Sequence, residues 1–124
     1  MRILAVTASK PSQQALQGAI KVLGHDLLAA EGRRDLFALL PAYHPDIALV
    51  ILDLDLPDAA GLDVLRELKA HPRFGGLPVL VLTGDRNESE ALTAIHAGAR
   101  DSLSRECTQQ DLVTRMFECL GHAA

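Results

Sequence analysis

Pro45-Asp46-Ile47-Ala48-Leu49-Val50-Ile51-Leu52-Asp53-Leu54-Asp55-Leu56-Pro57-Asp58-Ala59-Ala60-Gly61 is the stretch that decides the fold. It opens as an apolar run, Ile47 to Leu52, too short for an ordinary helix. Such a run suits a strand buried on both faces of a parallel sheet. The run stops on a carboxylate, Asp53, and Pro57 and Gly61 then turn the chain. Open α/β sheets bind their ligands beyond the carboxyl ends of their strands. Asp53 therefore stands at the position where function is expected.

Working outward, short apolar runs alternate with helical patterns. Arg2 to Val6 reads as the first strand and Asp26 to Ala30 as the second. Pro78 to Thr83 reads as a fourth buried strand, and Asp101 to Ser104 as a weak fifth. Between them, Ser12 is expected to cap a helix over Gln13 to Leu23, where Ala15, Leu16, Ala19, Ile20 and Leu23 recur with helical period. Arg33 to Leu40 is a helix expected to end near Pro41. Gly61 to His71 is a third, with Leu62, Val64, Leu65 and Leu68 inward. Asn87 or Ser89 opens a fourth, to about Ala97. Thr108 caps a fifth, running to Leu120, with Leu112, Val113, Met116 and Phe117 on its apolar side. Strands and helices alternating with short links specify a doubly wound five-stranded parallel sheet with helices on both faces. Residues 1–121 form one domain on this reading, and residues 122–124 a tail or the start of a linker.

Composition narrows the function. Aromatics are 3% of the 124 residues, which argues against stacking on bases as a mode of recognition. The net charge of −4, with no basic run, argues against direct nucleic-acid binding. No apolar stretch reaches membrane-spanning length and no charged-then-apolar leader opens the chain. Cys107 and Cys119 fit no zinc spacing and point to a reduced, cytoplasmic protein, as filler on the last helix. His25, His44, His71, His96 and His122 do not cluster and are expected to be solvated at the surface.

The order of elements and four local motifs resemble the receiver domain of two-component response regulators, over nearly the whole chain. The motifs are Leu52-Asp53-Leu54-Asp55-Leu56-Pro57 with Gly61, then Val79-Leu80-Val81-Leu82-Thr83, then Ala97-Gly98-Ala99-Arg100-Asp101, and the basic residue Arg105 after the fifth strand. The resemblance implies a flavodoxin-like strand order, 2-1-3-4-5. It implies a phosphorelay signalling module rather than an enzyme, with Asp53 at the phosphoacceptor position and Thr83 and Arg105 at phosphate-contact positions. It further implies protein partners, a sensor kinase or an effector domain, met through the fourth and fifth helices, and is compatible with a homodimer.

The chain departs from that family's pattern. The family holds Mg²⁺ with its phosphoacceptor and an acidic pair after the first strand. Here Thr7 and Ala8 follow Val6, and the first acidic residue in the chain is Asp26. The Lys-Pro after the fifth strand is replaced by Arg105-Glu106, and the aromatic switch residue by Ser102. Magnesium prefers oxygen ligands that include one or two carboxylates. Losing two carboxylates removes about 4 kcal/mol of attraction at an effective dielectric near 20, roughly a thousandfold in affinity. Asp55 is a candidate replacement, but the family uses the backbone carbonyl there, and the side chain is expected to face solvent. The expectation is an atypical receiver with no metal site and with Mg²⁺ binding weak or absent.

Two readings of Arg105 stay open, a phosphate ligand or a permanent counter-ion to Asp53, and its planar, always-charged fork favours the second. Thr83 contacts phosphate or caps the next helix, and Arg86 close behind it could reach the same pocket. A rival function is small-molecule or nucleotide binding in the hydroxyl-rich Thr7-Ala8-Ser9-Lys10-Pro11-Ser12 loop, ahead of a helix N-terminus. That loop lacks glycine and cannot wrap a phosphate closely.

Overall fold

The computed structural model describes residues 1–84 and 88–122, without the side chain of His122. Five strands form one sheet: β1 (Arg2–Val6), β2 (Asp26–Ala30), β3 (Ile47–Asp53), β4 (Val79–Thr83) and β5 (Asp101–Ser104). Their order is β2-β1-β3-β4-β5 and every pairing is parallel. The helices are α1 (Lys10–Val22), α2 (Arg33–Tyr43), α3 (Gly61–Ala70), α4 (Glu88–His96) and α5 (Gln109–Phe117). This is the doubly wound architecture that the alternation of elements specifies, in the flavodoxin-like order that the resemblance implies.

Side chains alternate across each strand, and both rows are apolar because helices cover both faces. Leu4, Val6, Val50, Leu52, Val79 and Val81 pack with Leu36 and Leu40 of α2, Val64, Leu65 and Leu68 of α3, and Ala94 of α4. Ile3, Ala5, Leu49, Ile51, Leu80 and Leu82 pack with Leu16, Ala19 and Ile20 of α1 and with Leu112 and Met116 of α5. Fully burying each such aliphatic side chain contributes about 1.5–3 kcal/mol. That is why so few aromatics suffice.

Several local expectations need correction. Helix α1 begins at Lys10, not Gln13, and its cap is Ser9, whose side chain accepts the Ser12 N–H. Pro11 sits in the first turn, where its missing N–H costs nothing, and Ser12 is buried there. Helix α2 runs past Pro41 to Tyr43. Pro41 is exposed and near the helix end, and beyond it the His44 N–H still donates to the Leu40 carbonyl. Phe117 is 44% exposed, because Leu112 and Met116 define the inward stripe of α5 and Phe117 lies one residue past it. Cys107 and Cys119 flank α5 rather than lie on it, and both are free thiols. His44 and His71 are half-buried and flank the Phe74 ring, at 5.1 and 4.3 Å between centroids. Asn87 and Arg86 lie outside the described residues, as does most of the expected 122–124 tail. Among the described residues no helix is long and apolar enough to cross a membrane.

Candidate functional site

Register and alternation build the site. Val6 pairs with Leu52, so the next residues, Thr7 and Asp53, come side by side beyond the sheet. Thr7 continues the Ile3–Ala5 row, Asp53 continues Leu49–Ile51, and Arg105 continues Leu103, all on the α1/α5 face. Strand β4 lies between β3 and β5. Thr83 ends it and pairs with Ser104, and its carbonyl accepts the Arg105 N–H at 3.0 Å. Thr7, Asp53 and Thr83 are buried, at 1%, 1% and 4% exposure. Arg105 is half-buried.

The Asp53 carboxylate meets three donors. Its Oδ2 accepts the Thr7 hydroxyl at 2.7 Å. Its Oδ1 accepts the Asp55 backbone N–H at 2.9 Å and the Arg105 guanidinium at 2.6 Å. The Thr7 hydroxyl donates because the carboxylate oxygen it meets is an acceptor, and its own oxygen accepts the Ser9 N–H at 3.1 Å. The Thr7 carbonyl in turn accepts the Gln13 side-chain amide at 2.9 Å. A buried carboxylate without such partners would be costly, and among the described residues no buried side-chain polar atom lacks a hydrogen bond.

The loop after β3 holds the Asp55 amide in place. Asp55 bridges antiparallel to Ala60, and the Gly61 N–H donates to the Leu54 carbonyl at 3.2 Å. A Cβ on Gly61 would lie 2.3 Å from the Leu54 Cα, so only glycine lets the loop close this tightly. Asp58 from the same loop caps α2: its oxygens accept the Arg33 and Arg34 N–H groups at 2.9 and 3.1 Å. Those amides hold the Asp58 carboxyl below the usual carboxylate range. Arg33 then pairs with Glu67 of α3 through its Nε and Nη2, tying α2 to α3.

Asp53, Thr83 and Arg105 thus come together, and Thr7 joins them. Ala8 is exposed and contributes no oxygen ligand. The Asp55 side chain is 84% exposed, with its Oδ2 3.9 Å from the outer nitrogen of Arg105. Ser102 lies half-buried within β5, paired with Val81. The Thr7–Ser12 loop is shorter than expected, because Lys10, Pro11 and Ser12 are the first turn of α1. The Ser9 and Ser12 N–H groups, which a bound phosphate would need, are taken by the Thr7 and Ser9 oxygens. The reading of residues 7 and 8 as a mere loss of acids overlooked the hydroxyl of Thr7 as an Asp53 partner. Strand alternation, counted from Ile3 and Leu49, was the signal that could have found it.

Known proteins share this fold. The CheY1 chemotaxis protein of Helicobacter pylori strain J99 is 28% identical over 122 residues, covering 98% of both chains. A chemotaxis protein CheY homolog of Campylobacter jejuni is 26% identical, covering 98% of this chain and 93% of its own. The crystal structure of the receiver domain of NtrX from Brucella abortus superposes with a TM-score of 0.87 at 26% identity, covering 98% of this chain and 99% of that one. Residues 3–117, which carry Asp53, Thr83, Arg105 and all of the five strands except Arg2 of β1, match the family described as response regulator receiver domain. By its fold, its strand-end site and this match, the chain belongs to the response regulator receiver domain family, whose members are phosphoacceptor signalling modules rather than enzymes.

Proposed function

We propose that this receiver module of phosphorelay signalling is held in one state by an internal ion pair, and that Asp53 is a poor acceptor of phosphate from Mg²⁺-dependent donors. The observation that carries this reading is the Arg105 guanidinium 2.6 Å from Asp53 Oδ1, on a carboxylate whose other oxygen is held by Thr7. Thr7 and Ala8 occupy the acidic-pair positions in this reading, and Ser102 the position of the switch aromatic. The donor set does not fit a magnesium ion. Among the described residues no group of three His, Cys, Asp or Glu side chains is placed to hold a metal. Among the described residues the one buried carboxylate, Asp53, is paired with the Arg105 guanidinium. A carboxylate nucleophile must be free on one oxygen with its charge offset for attack. Here the offset is permanent, and each carboxylate oxygen already accepts a hydrogen bond.

Output then goes through protein partners, a sensor kinase or an effector domain, met at α4 and α5. Leu92 and Ile95 of α4 are 61% and 38% exposed and offer apolar surface to such a partner. A small-molecule role has one observation in its favour. A cavity of about 210 Å³ opens beside Thr7, lined by Gln13, Gln17, Leu27 and Ala29. That volume is below the usual range for a ligand site, about 300–1,000 Å³, and the receiver reading stands ahead of it.

Magnesium linkage tests the proposal. Melting of the wild-type chain should not shift between EDTA and millimolar Mg²⁺. The Thr7→Asp/Ala8→Asp variant should melt lower in EDTA, because carboxylates crowd the sheet edge, and should recover with Mg²⁺. A wild-type chain already stabilised by Mg²⁺ would overturn it.

A further inference from the structure

Strand β2 is an edge of the sheet, and among the described residues no strand pairs with its outer side. The Asp26 N–H donates to the Met1 carbonyl at 3.2 Å, and the Ala30 carbonyl accepts the Thr7 N–H at 2.9 Å. The backbone groups of Asp26, Leu28 and Ala30 therefore face β1, and those of Leu27 and Ala29 face outward. Proteins ordinarily guard such an edge with lysine, proline or a bulge. This one reads Asp-Leu-Leu-Ala-Ala, without lysine or proline, and pairs with β1 in unbroken register. Leu27 and Leu28 are only half-buried, and Ala29 is exposed. The opposite edge, β5, reads Asp-Ser-Leu-Ser, and its Ser102 N–H is already taken by the Asp101 carboxylate at 2.8 Å.

We infer that β2 is a self-association edge, at which two copies of this chain join antiparallel in a register centred on Leu28. Backbone geometry chooses the register, because only outward-facing residues can exchange hydrogen bonds across the joint. Centring on Leu28 sets Leu27 opposite the partner's Ala29, and Ala29 opposite the partner's Leu27. Each of these pairs exchanges both of its N–H···O bonds. Leu28 meets the partner's Leu28 between them, at the closer spacing of a pair without hydrogen bonds. A register centred on Leu27 or on Ala29 would set one outward residue opposite a position outside the strand.

The side chains agree with that register. Leu27 and Ala29 border a cavity of about 210 Å³, closed on its other side by Gln13 and Gln17 of α1. The partner's Leu27, opposite Ala29, is placed against that cavity, and Leu27 against the partner's. A cavity of about 150 Å³ already holds a benzene-sized group, so this one suits a single aliphatic side chain. Further out, His25 falls opposite the partner's Glu31, a donor against an exposed carboxylate. Asp26 falls opposite the partner's Ala30, so no like charges meet directly. The two copies share one continuous sheet, and α4 and α5 stay open to other partners. The joint also covers the cavity wall formed by Thr7, whose hydroxyl holds Asp53. The inference does not depend on whether Asp53 takes phosphate.

The joint is short, so association is read best at high concentration. Sedimentation velocity and amide exchange, followed from micromolar to millimolar chain, test the inference. The chain should pass from monomer toward dimer over that range. Exchange at Leu27 and Ala29 should slow severalfold as it does, while Ser102 in β5 stays unchanged. Ala29→Lys puts a charge at an exposed position of the joint and should weaken association by about tenfold or more. Glu31→Lys, outside the strand, should weaken it severalfold, and adding His25→Glu should restore part of the loss. If Ala29→Lys fails to fold, Glu31→Lys and its rescue carry the test. A chain that stays monomeric at millimolar concentration would overturn the inference. So would a dimer that these substitutions leave intact, or one whose newly protected amides lie in α4 or α5 rather than β2.

Discussion

Arg105 and Asp53, 52 residues apart in the chain, meet at 2.6 Å with Asp53 almost completely buried. The pair closes the carboxyl edge of the sheet between β3 and β5, spanning the end of β4. Truncating one member of a buried pair leaves the other charge uncompensated, at about 3–5 kcal/mol. Arg105 keeps a quarter of its side chain in water, so its loss should fall nearer 2 kcal/mol. Urea unfolding of Arg105→Ala, Asp53→Asn and the double variant should show a coupling well above 0.5 kcal/mol, the usual limit for independent sites. Additive effects would mean that Arg105 acts by packing alone.

Thr7 makes a separable contribution. Thr7→Val keeps the shape but removes a hydrogen bond to a buried charge, which costs about 1.5–3 kcal/mol. Thr7→Ser should retain most of it. Denaturant midpoints at constant m-value check this pair, and a larger loss in Thr7→Ser than in Thr7→Val would point to the methyl group instead.

The loop after β3 predicts a pH effect. Backbone amides hold the Asp58 pKa down, so its cap stabilises the fold above the ordinary carboxylate pKa. That contribution fades as pH falls through the lowered folded value. Melting temperatures of wild type and Asp58→Ala should therefore differ at neutral pH and converge in acid below the usual carboxylate range. A gap that is constant with pH would show that the carboxylate charge is not what caps α2.

Gly61→Ala should be among the most disruptive single changes outside the core. Its Cβ would meet backbone, which cannot swing aside as a side chain can. A loss of about 1–3 kcal/mol, as for other overpacked positions, should appear in thermal unfolding. The Asp55 N–H resonance should shift with it, since the same loop aims that amide at Asp53.

Most of the fold was legible because the apolar run at Ile47–Leu52 is buried on both faces and the strands alternate with helices. Helix ends were less legible. Ser9 and Ser12 are both plausible caps by type, and only the burial of Ser12 and the place of Pro11 choose Ser9. Pro41 read as a terminator because its position near an exposed helix end, where it is tolerated, does not show in the residues alone. At the site, the strand-end rule brought out Asp53, and the family resemblance brought out Thr83 and Arg105. Thr7 was missed as a partner because hydrogen bonding across strands depends on register, which the order of residues does not state. Asp58 was missed because its partner amides belong to α2, a contact between a loop and a helix distant in sequence.

The central claim is that Asp53 is occupied by Arg105 and Thr7 and so resists phosphoryl transfer. The most direct measurement is intact mass after incubation with acetyl phosphate and Mg²⁺, with hydroxylamine lability to identify an acyl phosphate on a carboxylate. The account predicts no labile phosphoryl group on the wild-type chain, and its appearance in Thr7→Asp/Ala8→Asp/Arg105→Lys, lost again when Asp53→Asn is added. Ready, hydroxylamine-labile phosphorylation of the wild-type chain that Asp53→Asn abolishes would contradict it.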